Sequence, residues 1–193
     1  LHRVKQLVMM QDSTRALAAV HQMIDDNPDN SQYRSLLGDI YSLFGDYGKA
    51  ENIYVANIKR DTTDLNSLTS LSNIYLMSDR DSLYCETVEC ILKNERLEVE
   101  QRVSMLLDYA RYKDRSDTTY MKGFFEDMLR LPFDRLEIAD LYVQYLLYRE
   151  ASPDTIMPVL EIILELEPEN RSALLQMLVF AIERNDYEEV IRC

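Results

Sequence analysis

Residues 45–50 read Gly-Asp-Tyr-Gly-Lys-Ala and hold two of the four glycines in the chain, followed directly by a lysine. That combination is the first place to look for phosphate chemistry. A phosphate loop needs glycine, four residues, then Gly-Lys-Ser/Thr after a strand, so that successive backbone N–H groups surround the anion. Here two residues separate Gly45 from Gly48, no hydroxyl follows Lys49, and the preceding segment is helical in pattern, so a bend and not a cradle is expected. His2 and His21 are the only histidines, and neither has a cysteine or second histidine at metal-ligand spacing. The acidic run Asp25 to Asn30, "DDNPDN", lacks the central glycine and closing glutamate of a calcium loop. It reads instead as a helix end, a proline seam and a cap for the next helix. Glu161, Glu165, Glu167 and Glu169 read as a charge-rich helix flank, and no serine, cysteine or lysine nucleophile is framed by a base. The expectation is a chain without catalytic residues, metal or cofactor.

The elements behind these residues follow from periodicity. In Ser31 to Asp61, Leu36, Leu37, Ile40, Tyr41 and Phe44 form one helical stripe, and Ala50, Ile53, Tyr54 and Ile58 form a second. The glycine motif lies between them, so the segment is a helical hairpin. The next block aligns at an offset of 34, with Leu37 to Tyr41 over Leu71 to Tyr75 and the break Gly45 to Tyr47 over Asp79 to Asp81. A third block from Val99 places Met105, Leu106 and Tyr109 in phase and breaks at Lys113 to Asp117. A fourth from Arg135 places Leu141, Tyr142 and Tyr145 there and breaks at Glu150 to Asp154. A fifth from Arg171 carries Leu174, Met177, Leu178 and Ala181 and breaks at "NDYEEV", Asn185 to Val190. Pro28, Pro132 and Pro168 mark seams, because proline disfavours helix in the residue before it and lacks a donor. Ala16, Leu17, Val20 and Ile24 form the second helix of a partial opening unit whose first helix is Leu1 to Met10. The chain thus reads as one repeat domain over 1–193, with units at about 1–30 (partial), 31–64, 65–98, 99–134, 135–170 and 171–193 (partial).

Composition fits that reading. Hydrophobic residues make up 47% of the chain, enough for a buried core, and four glycines and five prolines leave little for long loops. The formal net charge of -13 repels phosphate backbones and anionic lipid, which excludes nucleic acid as a favoured partner and otherwise serves solubility. No run approaches the roughly 18 apolar residues of a membrane span; Met157 to Leu166 is broken by Pro158, Glu161 and Glu165. Cys85 and Cys90 lie on one helix with side chains roughly 140° apart, and Cys193 leaves the count odd, so no disulfide framework is indicated and a reducing compartment is favoured. The segment opens without Met and closes within a helical pattern, which reads as a piece of a longer chain and leaves export of the parent open.

Leu37, Gly38, Tyr41, Gly45, Asp46, Tyr47, Ala50 and Tyr54 together resemble the tetratricopeptide repeat, a 34-residue helix-turn-helix with a Leu-Gly pair, a tyrosine, a Gly-Asp-Tyr break, an alanine and a second aromatic. The closing proline of that pattern is replaced by Asp61-Thr62-Thr63-Asp64. The resemblance implies an all-α fold: a right-handed α-solenoid of five to six stacked antiparallel hairpins. At the position where paired helices touch, the chain reads Gly38, Ser72, Leu106, Tyr142 and Leu178, so wider helix spacing is expected after about Leu97.

The resemblance also implies a binding face. First helices would line a concave surface with Gln32, Ser35, Asp39 and Ser42, then Asn66, Thr69, Asn73 and Leu76, then Glu100, Val103, Leu107 and Arg111, then Ala139, Val143 and Leu147. Such a groove begins polar and becomes apolar. Its polar end suits a protein or peptide partner; its apolar end either takes part of that partner or is covered by a neighbouring repeat, chain or further segment. The lysines with which some members of the family grip a carboxylate terminus are missing, since Gln32, Ser35 and Thr69 stand at their places. Tyr142, Tyr145 and Tyr148, spaced by three, could stack on a ligand or pack between helices, and the second is the expectation. The implied function is a noncatalytic protein-interaction scaffold. A regulatory or structural arm of a larger enzyme and a small-ligand sensor are the alternatives, and self-association is left open.

Overall fold

The computed structural model describes residues 1–113 and 120–184, with the side chain of Arg184 left aside. Among the described residues the chain forms eleven helices and no strand. They are α1 (His2–Met9), α2 (Ser13–Asp26), α3 (Ser31–Leu43), α4 (Tyr47–Arg60), α5 (Leu65–Met77), α6 (Asp81–Leu92), α7 (Val99–Lys113), α8 (Tyr120–Met128), α9 (Arg135–Tyr148), α10 (Pro153–Leu166) and α11 (Arg171–Arg184). Most of the expected third break, after Lys113, and the whole "NDYEEV" segment lie outside the described residues. The helices group into two compact units, Leu1–Leu97 and Glu98–Cys193.

The first unit holds three hairpins, α1–α2, α3–α4 and α5–α6, each packed on the next. Their turns share one construction. α3 runs to the cap Phe44, and then the N–H of Gly45 donates to the Ser42 carbonyl at 3.0 Å while the N–H of Asp46 donates to the Tyr41 carbonyl at 2.8 Å. Gly45 has φ +81°, the left-handed conformation this helix-ending motif requires. The same pair of bonds follows α1 through Gln11 (φ 55°), α5 through Asp79 (φ 54°) and, in the second unit, α9 through Glu150 (φ 52°). Gln11, Gly45 and Asp79 are spaced by 34, so the turn is a repeated feature even though a single copy uses glycine.

The second helix of each hairpin starts at once. The Asp12 and Asp46 carboxylates accept from the N–H groups of Arg15 and Lys49, capping α2 and α4. At the equivalent place before α6 stands Arg80, which supplies no cap. Its guanidinium instead makes a two-pronged contact with Glu51, at 2.6 and 3.1 Å, and lies 4.4 Å from the centre of the Tyr75 ring, joining the second hairpin to the third. Lys49, read from sequence as a solvated residue, is exposed and paired with Asp46 at 2.6 Å.

The core of the first unit is the meeting of these stripes. Val4, Leu7, Ala16, Val20, Leu37 and Ile40 form one buried cluster, and Ala50, Tyr54, Leu71, Ile74 and Tyr75 another. Burial of such side chains stabilises by about 25 cal/mol per Å² of apolar surface removed from water. Between the hairpins lies a buried polar knot: Asn57 Nδ2 donates to Ser35 Oγ at 3.3 Å and to Ser67 Oγ at 3.1 Å.

The second unit packs α7, α8, α9, α10 and α11 around larger side chains. Leu106 and Tyr142, at the places taken by Gly38 and Ser72 in the first unit, are buried, and the Tyr142 ring stacks flat on Phe125 with centroids 4.7 Å apart. Arg102 is buried on α7; its Nε donates to Asp134 at 2.6 Å and its guanidinium sits 4.4 Å from the Phe133 ring. Pro153 and Asp154, expected within a break, open α10: proline suits the first helical position, where its missing N–H would have no partner. Cys85 is buried and Cys90 exposed, and both are free thiols.

Candidate functional site

In the first unit the outward stripe of α3 and α5 carries the polar residues expected to face a partner. Gln32, Asp39, Asn66, Thr69 and Asn73 are exposed and Ser42 is half-buried. Leu76, at the end of the same stripe, is exposed as well. Ser35 departs from the expectation: it is 8% exposed and turned inward, accepting from Asn57 and donating to the Ser31 carbonyl at 3.3 Å. On α3 this hydroxyl satisfies a neighbouring side chain inside the stack and is not available to a ligand.

Asp39, Ser42, Leu43, Tyr54, Ser70 and Asn73 line a shallow depression of about 210 Å³. Asp39 anchors it. Its Oδ1 accepts from the Tyr54 hydroxyl at 2.6 Å and from Ser70 Oγ at 3.5 Å. Burial, then the bond to Asp39, push the Tyr54 hydroxyl well above the ordinary tyrosine range, so it stays a neutral donor at physiological pH. What the depression offers is hydrogen bonding: a carboxylate and hydroxyls, with an Asn73 carboxamide that both donates and accepts.

In the second unit the expected row divides. Glu100 and Arg111 are exposed, Leu107 and Leu147 are 37% and 39% exposed, and Val103 is half-buried. Val143, expected on the binding face, is buried at 8%, as is Ala139 at 0%, so these two belong to the core of the unit. The reason is the width of the α9 apolar surface: Ile138, Ala139, Leu141, Tyr142, Val143 and Leu146 are all buried, leaving a narrow exposed strip.

A cavity of about 770 Å³ opens beside that strip, lined by Leu107, Ala110 and Arg111 of α7, Phe125 of α8, Leu141, Gln144, Tyr145 and Tyr148 of α9, and Arg149. The tyrosine series therefore splits by depth. Tyr142 lies beneath Phe125, Tyr145 packs at 5.2 Å from the same ring, and Tyr148 is 79% exposed at the mouth. Burial, with Glu126 and Tyr145 nearby, pushes the Tyr142 hydroxyl up to about 12. Phe125, Leu141, Gln144 and Arg149 were not foreseen; the spacing of Tyr145 and Tyr148 was the signal that could have pointed to them. Leu175, Val179 and Ile182 on α11 are also exposed, at 62%, 47% and 59%. Leu175 and Val179 follow Ala139 and Val143 by 36 residues, so the first-helix period reaches them too.

The Gly45 turn recurs at Gln11 and Asp79 with a spacing of 34 residues, and Tyr54 seats on Gly38 within one hairpin, as the resemblance to the repeat implies. The fold is of the tetratricopeptide type. No family model matches the chain, and no curated protein matches it. Among solved structures, a tetratricopeptide repeat protein from Parabacteroides merdae is similar at 12% identity, over 98% of this chain and 74% of that one, with a TM-score of 0.49. A thermophilic tetratricopeptide repeat protein of Thermus thermophilus is 16% identical over 91% and 94% of the two chains, with a TM-score of 0.46. YrrB, a tetratricopeptide repeat protein with an unusual peptide-binding site, is 13% identical over 90% and 88%, with a TM-score of 0.43. In their 34-residue period and left-handed turns the hairpins of the first unit resemble the tetratricopeptide repeat.

No described helix is long and apolar enough to cross a membrane. The described residues also contain no group of three or more His, Cys, Asp or Glu side chains placed to hold a metal ion.

Proposed function

We propose that the chain is a noncatalytic scaffold that holds a protein or peptide segment against the outward faces of its first helices. The observation that carries this reading is the polar stripe of α3 and α5, where Gln32, Asp39, Asn66, Thr69 and Asn73 are exposed on two adjacent, well-packed helices. An extended peptide presents alternating N–H and C=O groups, and a carboxamide such as Asn73 can pair with both at once. Because α3 and α5 are already fixed by the cores beneath them, the receptor loses little conformational entropy on binding. Asp39 is held in place by Tyr54 and Ser70, so an acceptor stands ready beside Asn73.

The test begins with a peptide selected from a random displayed library on the native chain, whose Kd is then measured by titration. Asn66→Ala combined with Asn73→Ala is expected to weaken binding about tenfold, the loss of one to two hydrogen bonds to backbone groups, while the melting temperature stays unchanged. Unaltered affinity in that double variant removes the α3–α5 stripe as the binding face.

A further inference from the structure

We infer that the face of α3 and α5 selects its partner segment by one basic residue, a lysine or arginine whose charged head pairs with Asp39 and whose aliphatic stem lies along Leu43. This rests on the reading of that face as the peptide site and adds the chemistry of the partner. The depression that holds Asp39 has a volume of about 210 Å³, below the roughly 300–1,000 Å³ of small-molecule sites. It fits a single side chain.

Asp39 is an exposed carboxylate held in one place. Its Oδ1 accepts from the Tyr54 hydroxyl at 2.6 Å and from Ser70 Oγ at 3.5 Å, and the Tyr54 ring is itself 1% exposed, fixed in the core. Two hydroxyls take only part of the about four acceptor positions of a carboxylate, so Asp39 can receive an ammonium or guanidinium and keep both bonds. A group already held loses less rotamer freedom on pairing, and that loss is what commonly cancels an exposed ion pair. Charge alone still contributes little at the surface, so the rest must come from apolar contact. Leu43, in the same depression, is 64% exposed, and Met9 and Met77, 34 residues before and after it, are 84% and 69% exposed. Three successive first helices thus end in a large apolar side chain left in water. Lysine and arginine stems cover such surface while their heads stay solvated, and methionine adapts to varied shapes.

The repeat alignment confines the positive charge to one residue. Lys5 and Asn73 stand 34 residues before and after Asp39, and both are exposed, so the row carries a cation, a carboxylate and a carboxamide in turn. A second basic residue placed toward α1 meets the Lys5 ammonium. A segment with one basic residue among apolar ones is therefore a better ligand than a lysine tract, although the net charge of -13 attracts any cation from a distance.

The probe is a peptide selected on the native chain from a random displayed library, dependent on Asn73 and synthesised with blocked ends. Replacing its basic residue by norleucine keeps the stem and removes the charge. That change is expected to raise Kd about fivefold on the native chain and less than about twofold on Asp39→Asn, a variant that keeps an oxygen for Tyr54 and whose melting temperature reports on its fold. Added salt should weaken the parent peptide and leave the norleucine form nearly unchanged, a measurement made on the native protein alone. Leu43→Ser should weaken both peptides. A selected peptide that needs Asn73 but carries no basic residue overturns the charge assignment and leaves the peptide face standing. So does a norleucine penalty that persists in full on Asp39→Asn, or equal salt dependence of the two peptides. Tighter binding of an oligolysine peptide overturns it as well, by assigning the attraction to net charge. Selected peptides that bind undiminished to Asn66→Ala with Asn73→Ala remove the face itself, and this inference with it.

Discussion

The ring of Tyr54 occupies the space that a side chain on Gly38 would need. A Cβ built on Gly38 lies 2.6 Å from Cε1 and 2.9 Å from Cζ of Tyr54, and the ring cannot retreat freely because its hydroxyl is bound to Asp39 at 2.6 Å. One glycine thus fixes how closely α3 and α4 pack, and through Tyr54 it positions the acceptor of the polar depression.

Even the smallest addition at this place should therefore be costly. Gly38→Ala is expected to destabilise the fold by about 1–3 kcal/mol through overpacking, although alanine favours helix intrinsically. Combining it with Tyr54→Leu should give a smaller loss than the sum of the two single variants, since removing the ring removes the clash. Urea unfolding of the four proteins measures both numbers, and strict additivity would contradict the contact.

The left-handed turn residues permit a gain. Gln11, Asp79 and Glu150 hold φ between 52° and 55° without being glycine, a conformation that crowds Cβ against the following carbonyl. Glu150→Gly is expected to stabilise by about 0.5–1 kcal/mol, and Asp79→Gly by less, because aspartate tolerates this region better than glutamate. Gly45→Ala should act in the opposite direction. Thermal melting decides the order, and a destabilised Glu150→Gly would show that the turn is not under the strain described.

Acidity around α9 gives a pH-dependent prediction. Partial burial, then Glu167 and Glu137, raise the Asp140 pKa above its ordinary value. Between the unfolded and folded pKa values the folded chain holds a proton that the unfolded chain has released, so this group's contribution to stability is lost as pH rises through that window. Asp140→Asn should accordingly melt higher than the parent at pH 7. The advantage should shrink near pH 3, where carboxylates are largely protonated in both states. An equal difference at both pH values would place its cause outside the carboxyl group.

The legible part of the molecule was whatever depends on local spacing. The 34-residue period marked the hairpins because each must bury one stripe per helix, and the glycine motif marked a turn because a left-handed residue is needed there. Seams at Pro28, Pro132 and Pro168 followed from a missing donor. Other features needed the neighbours in space. Arg102 is buried because Asp134 and Phe133, some thirty residues on, are brought against it. Ser35 reads as a groove residue until Asn57 and Ser67 turn it into a core hydrogen bond.

Sequence alone determined the all-helical hairpins and their register, since these rest on periodicities and caps within a few residues; the polar stripe of α3 and α5 was implied by the resemblance to a known repeat. Tertiary structure alone decided that Val143 is core while Leu147 is surface, that Tyr142 lies beneath a ring while Tyr148 is exposed, and that Tyr145 and Tyr148 line a cavity with Arg111 and Arg149. The physical reason is that a helix exposes whatever its neighbours fail to cover, and the width of that uncovered strip is set by side-chain volumes on other helices.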